Sequence, residues 1–63
     1  MTRADSYAQG FSEGARWGEH DDTFARAMFS ETIADARERA ATMSENLRAY
    51  WLGVLRGYRA VTR

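Results

Sequence analysis

His20 is the only histidine in this chain, and it stands inside the acidic run Glu19-His20-Asp21-Asp22. Such a grouping can do two kinds of chemistry. An imidazole beside carboxylates can move a proton as a general acid or base. The same donors can also ligate a divalent metal. A zinc ion, however, takes three or four ligands in fixed geometry, and the chain has one His and no Cys. The ligand spacing of a calcium-binding loop is absent as well. Ser6, Ser12, Ser30 and Ser44 are the candidate nucleophiles. None stands in a nucleophile elbow, and no glycine-rich loop of the phosphate-cradling type is present. The acidic run therefore reads as a solvated turn, with Asp21 or Asp22 capping the helix that follows. No catalytic residue, cofactor or metal is assigned, and the protein is expected not to be an enzyme.

The residues with the most informative spacing are glycines. Gly10, Gly14 and Gly18 recur every four residues, and Gly53 and Gly57 repeat the interval near the C-terminus. A spacing of four keeps residues on one side of a helix. Each glycine inside a helix costs about 1 kcal/mol relative to alanine, so a backbone must need to approach closely at these points. Two uses fit. The first helix could offer a shallow groove, flanked by Tyr7, Phe11 and Trp17, to another protein. Alternatively the groove receives the chain's own last helix, with Gly53 and Gly57 answering it. Internal packing is the favoured expectation. Small-residue stripes also serve membrane helices, but the opposite face here is polar, with Asp5, Gln9, Ser12, Arg16 and Glu19.

Apolar positions recur at three and four throughout, the helical period. The chain has no proline and shows no strand-like alternation. The expected fold is all-α, a single domain over residues 1–63 built as a three-helix bundle with helices at about 4–19, 23–41 and 44–62. Gly18 is expected to act as a C-cap of the first helix. From residue 24 onward, Phe29, Ile33, Ala36, Ala40, Met43, Leu47, Tyr50, Val54 and Val61 form one stripe. That continuity supports an alternative, a helical hairpin whose second helix runs unbroken for ~60 Å. Thr42-Met43-Ser44-Glu45 matches a capping box, with Thr42 as the cap, and favours the break.

Size and charge bound the function. A chain of 63 residues buries only about 60% of its unfolded surface. Without disulfides, oligomerisation or a larger partner is the remaining support. Net charge is zero, from nine arginines, no lysine and nine acids. It is unevenly spread: residues 1–31 carry three Arg against six acids, and residues 32–63 the reverse. Such asymmetry can orient a partner. No apolar run reaches the ~20 residues of a membrane span, and the N-terminus lacks a signal-peptide core. A cytoplasmic protein without membrane contact is expected.

The expected function is a small protein-interaction protein that binds a larger protein or complex, or a second copy of itself. Its economy of size suits a phage- or plasmid-encoded inhibitor or adaptor of a host complex. Glu13, Trp17, Glu19, Asp21, Asp22, Arg48, Arg56 and Arg59 are assigned as partner-binding residues. The alternative is a dimeric nucleic-acid-binding regulator using the C-terminal Arg48, Arg56, Arg59 and Arg63. Arginine beside aromatics can grip phosphate and stack on bases. Against it, Tyr50, Trp51 and Tyr58 fall on the apolar stripe, and nucleic-acid-binding domains are usually basic.

Overall fold

The computed structural model describes residues 2–20 and 22–62. Three helices of equal length follow one another: α1 (Arg3–Glu19), α2 (Thr23–Arg39) and α3 (Glu45–Val61), with a single 3-10 turn, Ala40–Thr42, between the last two. Each start has a chemical cause. Thr2 and Asp5 form a reciprocal capping box on α1: the Asp5 N–H donates to Thr2 Oγ1 at 3.1 Å and the Thr2 N–H to Asp5 Oδ2 at 3.3 Å. Of the two aspartates expected to cap α2, Asp22 does so, accepting from the Ala25 N–H at 2.7 Å. Asp21 lies outside the described residues.

Two local expectations are corrected. The cap of α3 is Ser44, whose Oγ accepts from the Leu47 N–H at 3.2 Å. Thr42 instead ends the 3-10 turn, its hydroxyl donating to the Arg39 carbonyl at 2.9 Å. An N-cap needs extended backbone; Met43 and Ser44 supply it, with ψ of 149° and 160°. Those two extended residues also end the stripe's helical phase and rule out the unbroken second helix. Gly18 is not a C-cap either. It sits buried inside α1, and no described glycine has positive φ, the conformation that a C-cap glycine supplies. His20 takes the cap position, and its N–H bonds to the Trp17 carbonyl at 3.2 Å.

Gly18 is there for packing, as are the other four glycines. Helices α1 and α3 run parallel with their backbones in contact. A methyl placed on Gly10 would overlap the Tyr50 carbonyl, and one on Gly14 the Val54 carbonyl. From the other side, Gly53 meets the Tyr7 carbonyl and Gly57 the Phe11 carbonyl. At Gly18 the obstacle is the side chain of Val61. Each helix thus lays glycines under the carbonyls of the other. The glycine hydrogens that replace Cβ point at those oxygens, a Cα–H···O geometry contributing roughly 0.5–1 kcal/mol per contact. Ser6, four residues before Gly10, is buried and extends the stripe by one turn.

The return helix α2 is held differently, through side chains. Phe29 stacks on Tyr58 with ring centroids 3.9 Å apart and planes 14° from parallel. Trp17 reaches over from α1 to meet Phe29 at 6.1 Å. Phe29, Ile33 and Val54 are the buried centre, with Trp17, Tyr50, Trp51, Leu55 and Tyr58 half-buried around them. No large side chain among the described residues is fully enclosed. The accessible surface is 4552 Å², against about 4,100 Å² for a typical monomer of this mass. Among the described residues no helix is long and apolar enough to cross a membrane.

Candidate functional site

The spacing of α2 from α3 leaves two adjoining hollows on one flank of the seam. Helix α2 turns Phe29, Ile33 and Ala36 inward, a period of three to four that puts Ser30, Ala34 and Arg37 on one flank. On α3 the residues facing that flank are Arg48, Leu52, Leu55 and Arg59, at spacings of four, three and four. The aromatic stack of Phe29 on Tyr58 keeps the two backbones apart, and the gap stays open. One hollow of about 220 Å³ lies against Ile33, Ala36, Met43, Trp51, Leu52 and Leu55. A second, of about 300 Å³, lies against Phe29, Ala34, Leu55 and Tyr58. They share Ile33, Arg37 and Leu55 and so form one trough along the seam.

The trough has an apolar floor and a cationic rim. Among the described residues Arg37, Arg48 and Arg59 line it, with no acidic residue. All three are exposed. Among the described residues the ion pairs of known geometry lie elsewhere: Arg16 with Glu13 at 3.6 Å and Arg39 with Asp35 at 3.3 Å. The opposite flank of the same seam, a hollow of about 470 Å³, contains that Asp35–Arg39 pair and is internally compensated. The two flanks therefore present different chemistry to solvent.

The partner-binding residues expected from sequence fall in separate places. Arg48 and Arg59 stand on the trough. Arg56 is exposed but lines neither hollow. Trp17 and Asp22 border a different depression, at the corner between α1 and α2, together with Arg16 and His20. Glu13 is half-buried and engaged by Arg16. Glu19 is exposed at the end of α1. Asp21 and Arg63 lie outside the described residues. Of the serines, Ser6 is buried and Ser44 is occupied as a cap, while Ser12 and Ser30 are exposed. Among the described residues no group of three or more His, Cys, Asp or Glu is placed to hold a metal ion.

Sequence reasoning missed Arg37, Leu52 and Leu55 on the trough and Phe24 at the corner. A signal existed for the leucines. Leu52 and Leu55 are three apart and fall off the main apolar stripe, which marks a second apolar row on α3. No family model matches the chain, and neither the curated proteins nor the solved structures give a match.

Proposed function

We propose that this protein is a non-catalytic interaction module whose trough between α2 and α3 receives an acidic amphipathic helix of a larger protein. The supporting observation is the pairing of an apolar floor with three arginines that no carboxylate of the trough neutralises. An apolar groove takes the apolar face of a helix, read by anchors at i, i+3, i+4 and i+7. The flanking charges of that helix would then be carboxylates, which arginine binds in bidentate fashion. Arg48 and Arg59 are eleven residues apart, roughly 16 Å of helix, which sets the docked length at about three turns. Charge of this kind acts chiefly on the rate of encounter and on the choice of partner.

The test is a double reversal, Arg48→Glu with Arg59→Glu. The folded variant and the wild type are each used as bait in a quantitative cross-linked pull-down. A stoichiometric protein partner held by the wild type and lost by the variant is the expected result. No stoichiometric partner, or one held equally by both, overturns the reading. Duplex and single-stranded DNA are titrated in parallel at low and moderate salt. Tight binding that falls steeply with salt would assign the arginines to phosphate instead. Trp51 and Tyr58 pack half-buried on the core and also line the trough beside its arginines, so the DNA titration is the arm that decides between a protein and a nucleic-acid partner.

A further inference from the structure

Phe24, in the first turn of α2, is 73% exposed, the most exposed of the large apolar residues among those described. Met28, one turn on, is 42% exposed. Burial within its own chain does not account for this phenylalanine. Beside it lies a depression of about 500 Å³, whose apolar lining is Trp17, Ala25 and Met28 together with Phe24 itself. A projecting ring and a hollow thus occupy the same patch.

We propose that this corner is an interface between two copies of the chain, related by a two-fold axis, with Phe24 of each copy seated beside Trp17 of the other. A two-fold contact uses the same surface on both subunits, so it must be self-complementary. The corner meets that condition in shape, because it carries both knob and hollow. It meets it in charge as well: Arg16, which also holds Glu13 at 3.6 Å, and Asp22 border the same depression, so the corner carries both signs and a two-fold rotation can set each against its opposite. The trough between α2 and α3 fails the same condition, since a two-fold contact there would face arginine with arginine. The surface exposed beyond that of a typical monomer is of the order that a small interface removes from each partner.

Sedimentation equilibrium over a concentration series tests this. The wild type is expected to shift from the mass of one chain to that of two below about 1 mM. Phe24→Glu is expected to stay monomeric across the series with its circular dichroism unchanged and, at concentrations where the wild type is also monomeric, the same melting temperature, because Phe24 contributes little to the core of its own chain. Asp22→Asn, which keeps a side-chain cap and removes one charge, is expected to weaken the dimer severalfold. A monomeric wild type up to about 1 mM overturns the proposal, and so does a Phe24→Glu variant that still dimerises. A dimer lost in Leu52→Glu and kept in Phe24→Glu would place the interface on the trough, and overturns it equally.

Discussion

Helix α3 is bound on two sides, and the two seams are built on opposite principles. Towards α1 the contact is backbone on backbone, with glycines of each helix lying under carbonyls of the other. Towards α2 the contact is ring on ring, with Phe29 against Tyr58 and open hollows on both flanks. The first seam spends helix propensity, about 1 kcal/mol per glycine, to gain dense van der Waals and Cα–H···O contact. The second keeps good helix formers and leaves space. A small chain can thus be close-packed in one place and open in another. The glycine seam fixes α3 against α1, and the aromatic seam leaves hollows between α2 and α3.

The comparison is tested hardest by Gly14→Leu. Its new Cβ would overlap the Val54 carbonyl and lie 2.9 Å from the Tyr58 nitrogen. Both obstacles are helix backbone and cannot rotate away. Overpacking typically costs about 1–3 kcal/mol and sometimes more. A domain of this length has about 3–9 kcal/mol of total stability. The expected outcome is loss of cooperative thermal unfolding, seen by circular dichroism. A variant that melts like the wild type would mean that the helices separate without cost, and the contrast between seams would fall.

Next in size is Phe29→Ala, which attacks the other seam. Phe29 is buried and stacked, so the loss should be about 3 kcal/mol, the lower end for such truncations, because the adjoining hollows let neighbours relax. The difference from Gly14→Leu lies in how the loss is distributed. Amide hydrogen exchange should show α2 opening locally while α1 and α3 keep their protection. Equal loss of protection in all three helices would show that the seams form one cooperative unit.

Much of the glycine seam was legible in the sequence and little of the aromatic one. A glycine repeat at four residues has few causes inside a polar-backed helix, and the answering pair at Gly53 and Gly57 indicated which helix filled the groove. The three helices and their lengths followed from period and caps, with boundaries displaced by one or two residues. The trough was not legible because it depends on the distance between two helices, and side-chain spacing along one helix does not encode that distance. Arg48 and Arg59 were singled out for their charge, but their relation to Arg37 exists only once α2 folds back. Phe24 was missed for a related reason. It falls off the apolar stripe, and the depression beside it exists only once α1 and α2 meet at the corner.

The smallest expected effect concerns the joint that lets α2 fold back. Thr42, the cap that the sequence pattern points to, lies two residues before Ser44, which caps α3 in the structure. Thr42 is followed at three by Glu45, as a capping box requires, whereas Ser44 is followed at three by Leu47. Backbone conformation decides between them: Ser44 is extended and accepts the Leu47 N–H, while Thr42 belongs to the 3-10 turn. Ser44→Ala should therefore lower stability by about 1 kcal/mol, the usual value of an N-cap. Thr42→Ala removes only an exposed hydroxyl bond to the Arg39 carbonyl and should stay within about 0.5 kcal/mol of the wild type. Chemical denaturation of both variants, read as a shift in midpoint at constant slope, separates these values. A reversed order would place the start of α3 at Thr42, lengthen that helix, and narrow the gap at the Met43 end of the trough. The openness of the second seam would then have to come from the aromatic stack alone.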